Sequence, residues 1–216
     1  LASNTTASEN TAVGYQSLYT NTTGTLNNAF GKWALFSNNG SYNAAVGNSA
    51  LYYNTTGAYN TAIGTYALLS NTTANNNTAV GYQAGYTNST GLGITLLGAT
   101  AGYALTGNYN TGVGGQALYN TTGSNNVGVG NNALIANTSG SYNTGIGRDA
   151  LQANTTASNN TAVGYQAGYS NTTGNLLAIG YQAGYSSDTA VGYSPAFVGY
   201  QAGYNTTTGH SNLFVG

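Results

Sequence analysis

Apolar residues recur along this chain at a nearly constant interval, and a glycine follows each of them directly. Successive glycines of this kind lie 16 or 17 residues apart through most of the chain, with shorter steps near Pro195. The apolar residue is predicted to point into a core, and this predicted core column comprises Val13, Phe30, Val46, Ile63, Val80, Leu97, Val113, Val129, Ile146, Val163 and Ile179. Self-similarity at a fixed short period is typical of stacked repeats.

Two further positions keep their character from repeat to repeat. The third residue after the glycine is alanine in most repeats, and the fourth is leucine or glycine, as at Ala150-Leu151 and Ala167-Gly168. Small residues at a fixed position indicate a tight interior. The exchange of leucine for glycine indicates that neighbouring repeats compensate one another's volume, because protein interiors are close-packed.

The local pattern favours short strands joined by turns. Thr-Ala-Val alternates before the glycine, and Asn-Thr-Thr-Gly punctuates many repeats. Since 16 or 17 residues are too few for a hairpin with its own core, each repeat must bury its apolar side against its neighbours. We therefore predict an all-β, parallel β-solenoid. It forms one domain over residues 1–216 with an irregular unit near 186–199, and at about 4.8 Å per coil it measures roughly 60 Å.

Glycine and asparagine occupy positions with structural meaning. The glycine after the apolar residue is predicted to provide a positive φ or a close backbone approach. An asparagine four residues before it recurs in most repeats and is predicted to hydrogen-bond from coil to coil. Tyrosines after the glycine are predicted to stack on a side face, at Tyr15, Tyr82, Tyr165, Tyr181, Tyr193 and Tyr200.

A second asparagine column carries acceptor sequons for N-glycosylation. Each member is followed two residues later by Thr or Ser: Asn4, Asn21, Asn54, Asn71, Asn88, Asn120, Asn137, Asn154, Asn171 and Asn205. Glycans in this column would form a sheath along one edge. The same residues also suit a turn in which the Thr hydroxyl bonds the backbone, so both interpretations stay open.

The motif Asn-Thr-Ala-Val-Gly-Tyr-Gln-Ala, clearest at Asn10, Asn77 and Asn160, resembles the head repeats of trimeric autotransporter adhesins and related repeats of phage-type tail fibres. The resemblance covers nearly the whole chain. It implies a left-handed parallel β-roll, often trimeric, that displays or extends a binding surface.

Charged residues are scarce, which narrows the possible partners and chemistry. Only Lys32, Arg148, Glu9, Asp149 and Asp188 carry charge, and the net charge is -1. A chain without a basic face is not expected to bind nucleic acid, and no apolar run is long enough for membrane insertion. The chain contains neither cysteine nor methionine and therefore resists oxidation. This resistance fits an extracellular, virion or cell-surface location.

Candidate chemistry is correspondingly sparse. Arg148 and Asp149 are predicted to form a local surface ion pair. His210 has no acidic residue nearby in the sequence, although a coil could bring Asp188 close to it. We predict no catalytic, metal or cofactor site, because such sites need several titratable groups together.

Two functions follow. The first is a structural fibre or adhesin shaft whose partners are copies of itself, as a trimer or an end-to-end polymer that continues the repeat phase. The alternative is a surface-binding module for host glycans or ice that uses the tyrosine and glutamine columns and the Thr pairs. The Thr pairs are Thr22-Thr23, Thr55-Thr56, Thr72-Thr73, Thr155-Thr156 and Thr172-Thr173.

Overall fold

The computed structural model describes residues 1–172, 174–187, 194–206 and 213–216, and within them the regular structure consists of three-residue strands. These are β1 (Thr11–Val13), β2 (Asn28–Phe30), β3 (Ala44–Val46), β4 (Thr61–Ile63), β5 (Thr78–Val80), β6 (Thr95–Leu97), β7 (Thr111–Val113), β8 (Val127–Val129), β9 (Thr144–Ile146), β10 (Thr161–Val163), β11 (Leu177–Ile179), β12 (Ala196–Val198) and β13 (Leu213–Val215). Strands β1 to β6 form a parallel sheet in chain order, and so do strands β7 to β13. The predicted all-β parallel solenoid is confirmed.

The chain divides into two compact units, residues 1–109 with β1 to β6 and residues 110–216 with β7 to β13. Each unit stacks the same coil. Consecutive strands pair without a register shift, so that Ala45 lies beside Ala62 in the first unit and Ala162 lies beside Gly145 in the second. The centre of the predicted irregular unit, residues 188–193, lies outside the described residues.

The predicted core column is wrong, because the third residue of each strand points outward. Val13 is 56% exposed and Leu97 is 50% exposed, whereas the central alanines of the strands, such as Ala29 and Ala162, are fully buried. Alternate strand residues face opposite sides of a sheet, so only the central residue of these strands points into the coil. The affected residues, exposed or half-buried, are Val13, Phe30, Val46, Ile63, Val80, Leu97, Val113, Val129, Ile146, Val163 and Ile179.

The interior is built from the other two columns, as their composition indicates. The alanines after the glycine and the leucines that follow them are buried, for example Ala50 and Leu51 in the first unit and Ala150 and Leu151 in the second. We call the leucine or glycine of this second column the corner residue. Its side chain, where it has one, fills the space beneath the strand centres.

The glycine that follows a strand generally meets both predicted requirements, and Gly216 after β13 meets the requirement of a positive φ. Gly47 has a φ of +135°, and a Cβ added to it would lie 2.6 Å from the carbonyl oxygen of Gly64 in the next coil. Any side chain there would collide with backbone, and a φ in this range is essentially restricted to glycine. This close approach lets consecutive coils stack directly on one another at that bend.

Candidate functional surfaces

Buried asparagines form a ladder at the corner of each coil. We call this the corner ladder, and it consists of Asn21, Asn38, Asn54, Asn71 and Asn88 in the first unit and Asn137, Asn154 and Asn171 in the second. The Asn71 amide nitrogen donates to the side-chain oxygen of Asn54 at 2.7 Å and to the carbonyl of Ala74 at 3.1 Å. Asn38, Asn54, Asn88 and Asn154 likewise close their own turns and also bond the preceding coil, which satisfies these buried amides. The amides of Asn21 and Asn137 close their own turns, and the buried amide nitrogen of Asn171 has no partner among the described residues.

A second ladder precedes the strands and confirms the predicted coil-to-coil bonding. The backbone nitrogen of Asn60 donates to the side-chain oxygen of Asn43 at 3.0 Å, and the Asn60 amide nitrogen donates to the carbonyl of Ala74 at 2.9 Å. The second unit repeats the arrangement at Asn143, which bonds Asn126 and Ala157. We call these residues the strand ladder.

The glycosylation prediction is wrong for most of the sequon asparagines, because they are buried in the corner ladder. Seven of the candidate acceptors are at most 1% exposed, which leaves no room for a sugar: Asn21, Asn54, Asn71, Asn88, Asn137, Asn154 and Asn171. Asn38 occupies the same buried position without a sequon, so asparagine serves the ladder there without the hydroxyl residue that a sequon needs. Asn4, Asn120 and Asn205 are exposed, and for these three the glycosylation hypothesis stays a prediction.

In the Thr pairs the second threonine is exposed at Thr23, Thr56, Thr73 and Thr156, whereas several first threonines bond their neighbours. Where the first threonine of a pair is bonded, its hydroxyl donates to the backbone of the next coil, as from Thr55 to the carbonyl of Thr72 at 2.9 Å. Thr22 instead donates to the Asn39 side chain at 2.8 Å. These bonded hydroxyls of the first threonines help to hold coils together.

The outer side of the sheet carries a different threonine column, which we did not predict. In the first unit the first and third strand residues form a two-column surface of Thr61, Thr78 and Thr95 beside Ile63, Val80 and Leu97. The three threonine hydroxyls make no hydrogen bond within the described residues. We call this surface the strand face.

Aromatic side chains stack from coil to coil on another side of each unit. Phe36 and Tyr52 stack with ring centroids 4.9 Å apart and an interplanar angle of 2°. In the second unit Tyr165, Tyr181 and Tyr200 stack in sequence, as predicted, with separations of 5.3 and 5.1 Å. Tyr15 and Tyr82 make edge contacts instead, with Trp33 and Tyr66, and Tyr193 lies outside the described residues.

The stack of Tyr19, Phe36 and Tyr52 ends at Leu69, and the neighbouring Trp33 contacts Tyr52 edge-on. A cleft of about 260 Å³ opens there, lined by Trp33, Ser49, Tyr52, Tyr53, Tyr66 and Leu69. The Trp33 indole nitrogen donates to the Gln16 side chain at 2.9 Å, and the Lys32 ammonium lies 3.8 Å from the centroid of the indole ring. Sequence reasoning missed this cleft, although its signal is visible as a serine between two aromatic residues in a column that elsewhere favours glutamine.

Titratable groups are sparse over the described part of the chain. Arg148 pairs with Asp149 at 3.3 Å, as predicted, but only Arg148 lies at the surface, because Asp149 is buried. Asp149 also accepts a hydrogen bond from Asn132 at 3.0 Å. The described residues contain no cluster of three or more potential metal ligands, and none of them forms a helix long and apolar enough to cross a membrane. Asp188 and His210 lie outside the described residues.

Comparison of the chain with protein-family models, curated proteins and solved structures found no match.

Proposed function

We propose that this chain is a structural segment of an extracellular fibre, filament or adhesin shaft on a cell or virion surface. The observation that carries the proposal is the pair of buried asparagine ladders, in which amides bond each coil to its neighbours. Hydrogen bonds of this kind contribute roughly 1 kcal/mol each, and an unpaired buried amide would cost more. A chain that uses its polar side chains in this way is suited to mechanical and proteolytic resistance.

The partners that best suit this role are further copies of the same chain. The strand face exposes an uninterrupted column of aliphatic side chains, with Ile63 42% and Leu97 50% exposed. Contiguous exposed apolar surface commonly marks a protein–protein interface. The resemblance to trimeric adhesin repeats supports the same partner, and sugars at Asn4, Asn120 and Asn205 would be compatible with it.

Sedimentation equilibrium of the purified full chain tests this proposal. We expect a concentration-dependent oligomer that the double substitution Ile63→Lys with Leu97→Lys converts to monomer while the far-ultraviolet circular dichroism stays unchanged. Thr56→Lys with Thr73→Lys, on exposed turns, is the matched control and should leave the oligomer intact. A wild-type chain that stays monomeric at high concentration would contradict self-assembly.

The strand face also favours a second candidate function, binding to a regular solid such as ice. Thr61, Thr78 and Thr95 present hydroxyls beside methyl-bearing neighbours, with spacings of about 4.8 Å between strands and roughly 6.6 Å along them. Such a flat, uncharged surface suits an ordered lattice better than a flexible polymer. A thermal-hysteresis measurement should detect activity that Thr78→Lys removes, and zero hysteresis in the wild type would eliminate this candidate.

A further inference from the structure

The cleft around Trp33 differs from every other described aromatic region of the first unit in the direction of its rings. In the stacked pairs, each ring covers the face of its neighbour, as in Tyr86 and Tyr103 at an interplanar angle of 1°. Trp33 stands at 88° to Tyr52, and Tyr66 stands at 82° to Tyr86. These two rings therefore turn their faces away from the stacks.

Ser49 is the reason for this arrangement. It occupies the same coil position as Trp33 and Tyr66, one coil after the first and one before the second. A ring or a glutamine there would fill the gap, but serine leaves a space about 9.6 Å long, which is two strand spacings. Tyr53, which is 51% exposed and stands at 74° to Tyr52, closes one side. The serine hydroxyl donates to Asn48 at 2.9 Å, so the floor is polar and ordered.

The chemistry of the cleft indicates a saccharide ring. Exposed aromatic faces bind the C–H face of a pyranose, while tyrosine and serine hydroxyls suit the hydroxyl groups around its rim. A volume of about 260 Å³ suits one sugar unit, not a lipid chain or a folded partner.

Charge narrows the ligand further. Lys32 lies on the Trp33 ring, and within the described residues it has no carboxylate partner. A cationic ligand would meet like charge there, whereas an acidic one would gain a charge-assisted hydrogen bond. We propose that the Trp33 cleft binds an acidic sugar unit, with the pyranose ring against Trp33 and Tyr66 and its carboxylate on Lys32.

A matched pair of probes tests the proposal. Methyl β-glucuronide and methyl β-glucoside differ only in the acidic group, and Trp33 is the chain's single tryptophan, so its fluorescence reports on the cleft. The wild-type full chain should bind the glucuronide about tenfold more tightly than the glucoside, which is the range of one charged hydrogen bond. Lys32→Gln should remove that preference, and equal affinity of the two probes for the wild type would overturn the assignment of an acidic ligand.

Ser49→Gln separates binding from folding. Glutamine stands at this position in other coils, for example as Gln83 with a φ of 54°, and Ser49 has a φ of 56°. The substitution should therefore fill the cleft without disturbing the coil, and should weaken glucuronide binding at least tenfold with no loss of melting temperature. Thr100→Gln, in the same column away from the cleft, should leave binding unchanged. Undiminished binding by Ser49→Gln, or no fluorescence response of the wild type to either probe, would overturn the proposed site.

Discussion

Coils with a leucine corner and coils with a glycine corner fill the same interior from opposite sides. In the second unit, Leu118 and Leu134 reach beneath strand centres that are glycine, and a Cβ on Gly128 would lie 3.1 Å from Leu118. In the first unit, Leu96 is the strand centre, and both adjacent corners are glycine, Gly85 and Gly102. The volume inside a coil is thus nearly constant, and only its source changes.

The two solutions differ in backbone strain. Leu118 has a φ of +56° and Gly102 has the same φ of +56°. This left-handed conformation costs a leucine roughly 1–2 kcal/mol but costs glycine almost nothing. Burial of the leucine side chain offsets that strain at about 1.5–3 kcal/mol. The leucine corner is therefore held by packing, whereas the space beside Gly85 and Gly102 is filled by the strand centre Leu96.

Removing the largest strand centre should have the largest effect. Phe197 is fully buried above Gly184 and Gly203, where an added Cβ would meet its ring. Phe197→Ala should destabilise the chain by about 3–5 kcal/mol, because the glycine corners supply nothing to refill the cavity. Phe30→Ala makes the same change at a 42% exposed position of β2 and should cost well under half as much in urea denaturation. Equal costs would contradict the outward direction of the third strand residue.

Moving side-chain volume from the strand centre to the corner residue tests directly whether the two positions share one interior space. A side chain on Gly102 would meet the Leu96 methyl carbons at 2.7 and 2.8 Å, so Gly102→Leu should cost about 1–3 kcal/mol by overpacking. Adding Leu96→Ala should recover part of that loss, and a double-mutant cycle should show favourable coupling of at least about 0.5 kcal/mol. Strict additivity would mean that the two positions do not share one space.

At a leucine corner, a substitution by glycine should leave the protein more stable than a substitution by alanine, which reverses their usual order of stability. Glycine normally lowers stability by about 0.5–1 kcal/mol relative to alanine, but at the φ of Leu118 the alanine is the strained residue. Leu118→Gly should therefore be more stable than Leu118→Ala by a similar amount in thermal melts. Leu176 is buried without a positive φ, and there the ordinary order should hold. If the glycine and alanine variants had the same order of stability at Leu118 and Leu176, backbone strain at the leucine corner would be contradicted.

The smallest effect concerns the tyrosine stack at Tyr185. Burial raises the pKa of Tyr185 above its ordinary value, and the neighbouring Tyr169 and Tyr204 add to the rise. Since the folded state holds the proton more tightly than the unfolded chain, this contribution to stability is fully present below about pH 10 and is lost as the pH rises through the folded-state pKa. Melting temperatures between pH 9 and pH 11.5 should fall less steeply for Tyr185→Phe than for the exposed control Tyr142→Phe.

Much of this fold can be predicted from the sequence, because every coil must satisfy the same requirements of packing and backbone geometry. Local requirements of backbone approach and volume fix the glycine after each strand, the alanine column and the exchange of leucine for glycine. The repeating sequence pattern alone therefore reveals these positions. The parallel pairing follows as well, since a repeat as short as the one around Gly47 can bury its side chains only against identical neighbours. The Trp33 cleft was less accessible, because it arises from one small residue, Ser49, and the surfaces of three coils.

What the sequence left open is which side of each strand faces inward and which asparagines face outward. Val13 and Ala12 alternate, and the rule that apolar residues are buried favoured Val13, but the leucine corners leave room only for a small central residue. Likewise Asn54 satisfies both a sequon and a ladder, and only its burial against Asn38 and Asn71 decides between them. The sequence by itself determined the repeat and its small-residue positions; tertiary packing decided the direction of each side chain, because alternation fixes opposite faces without saying which one is inside.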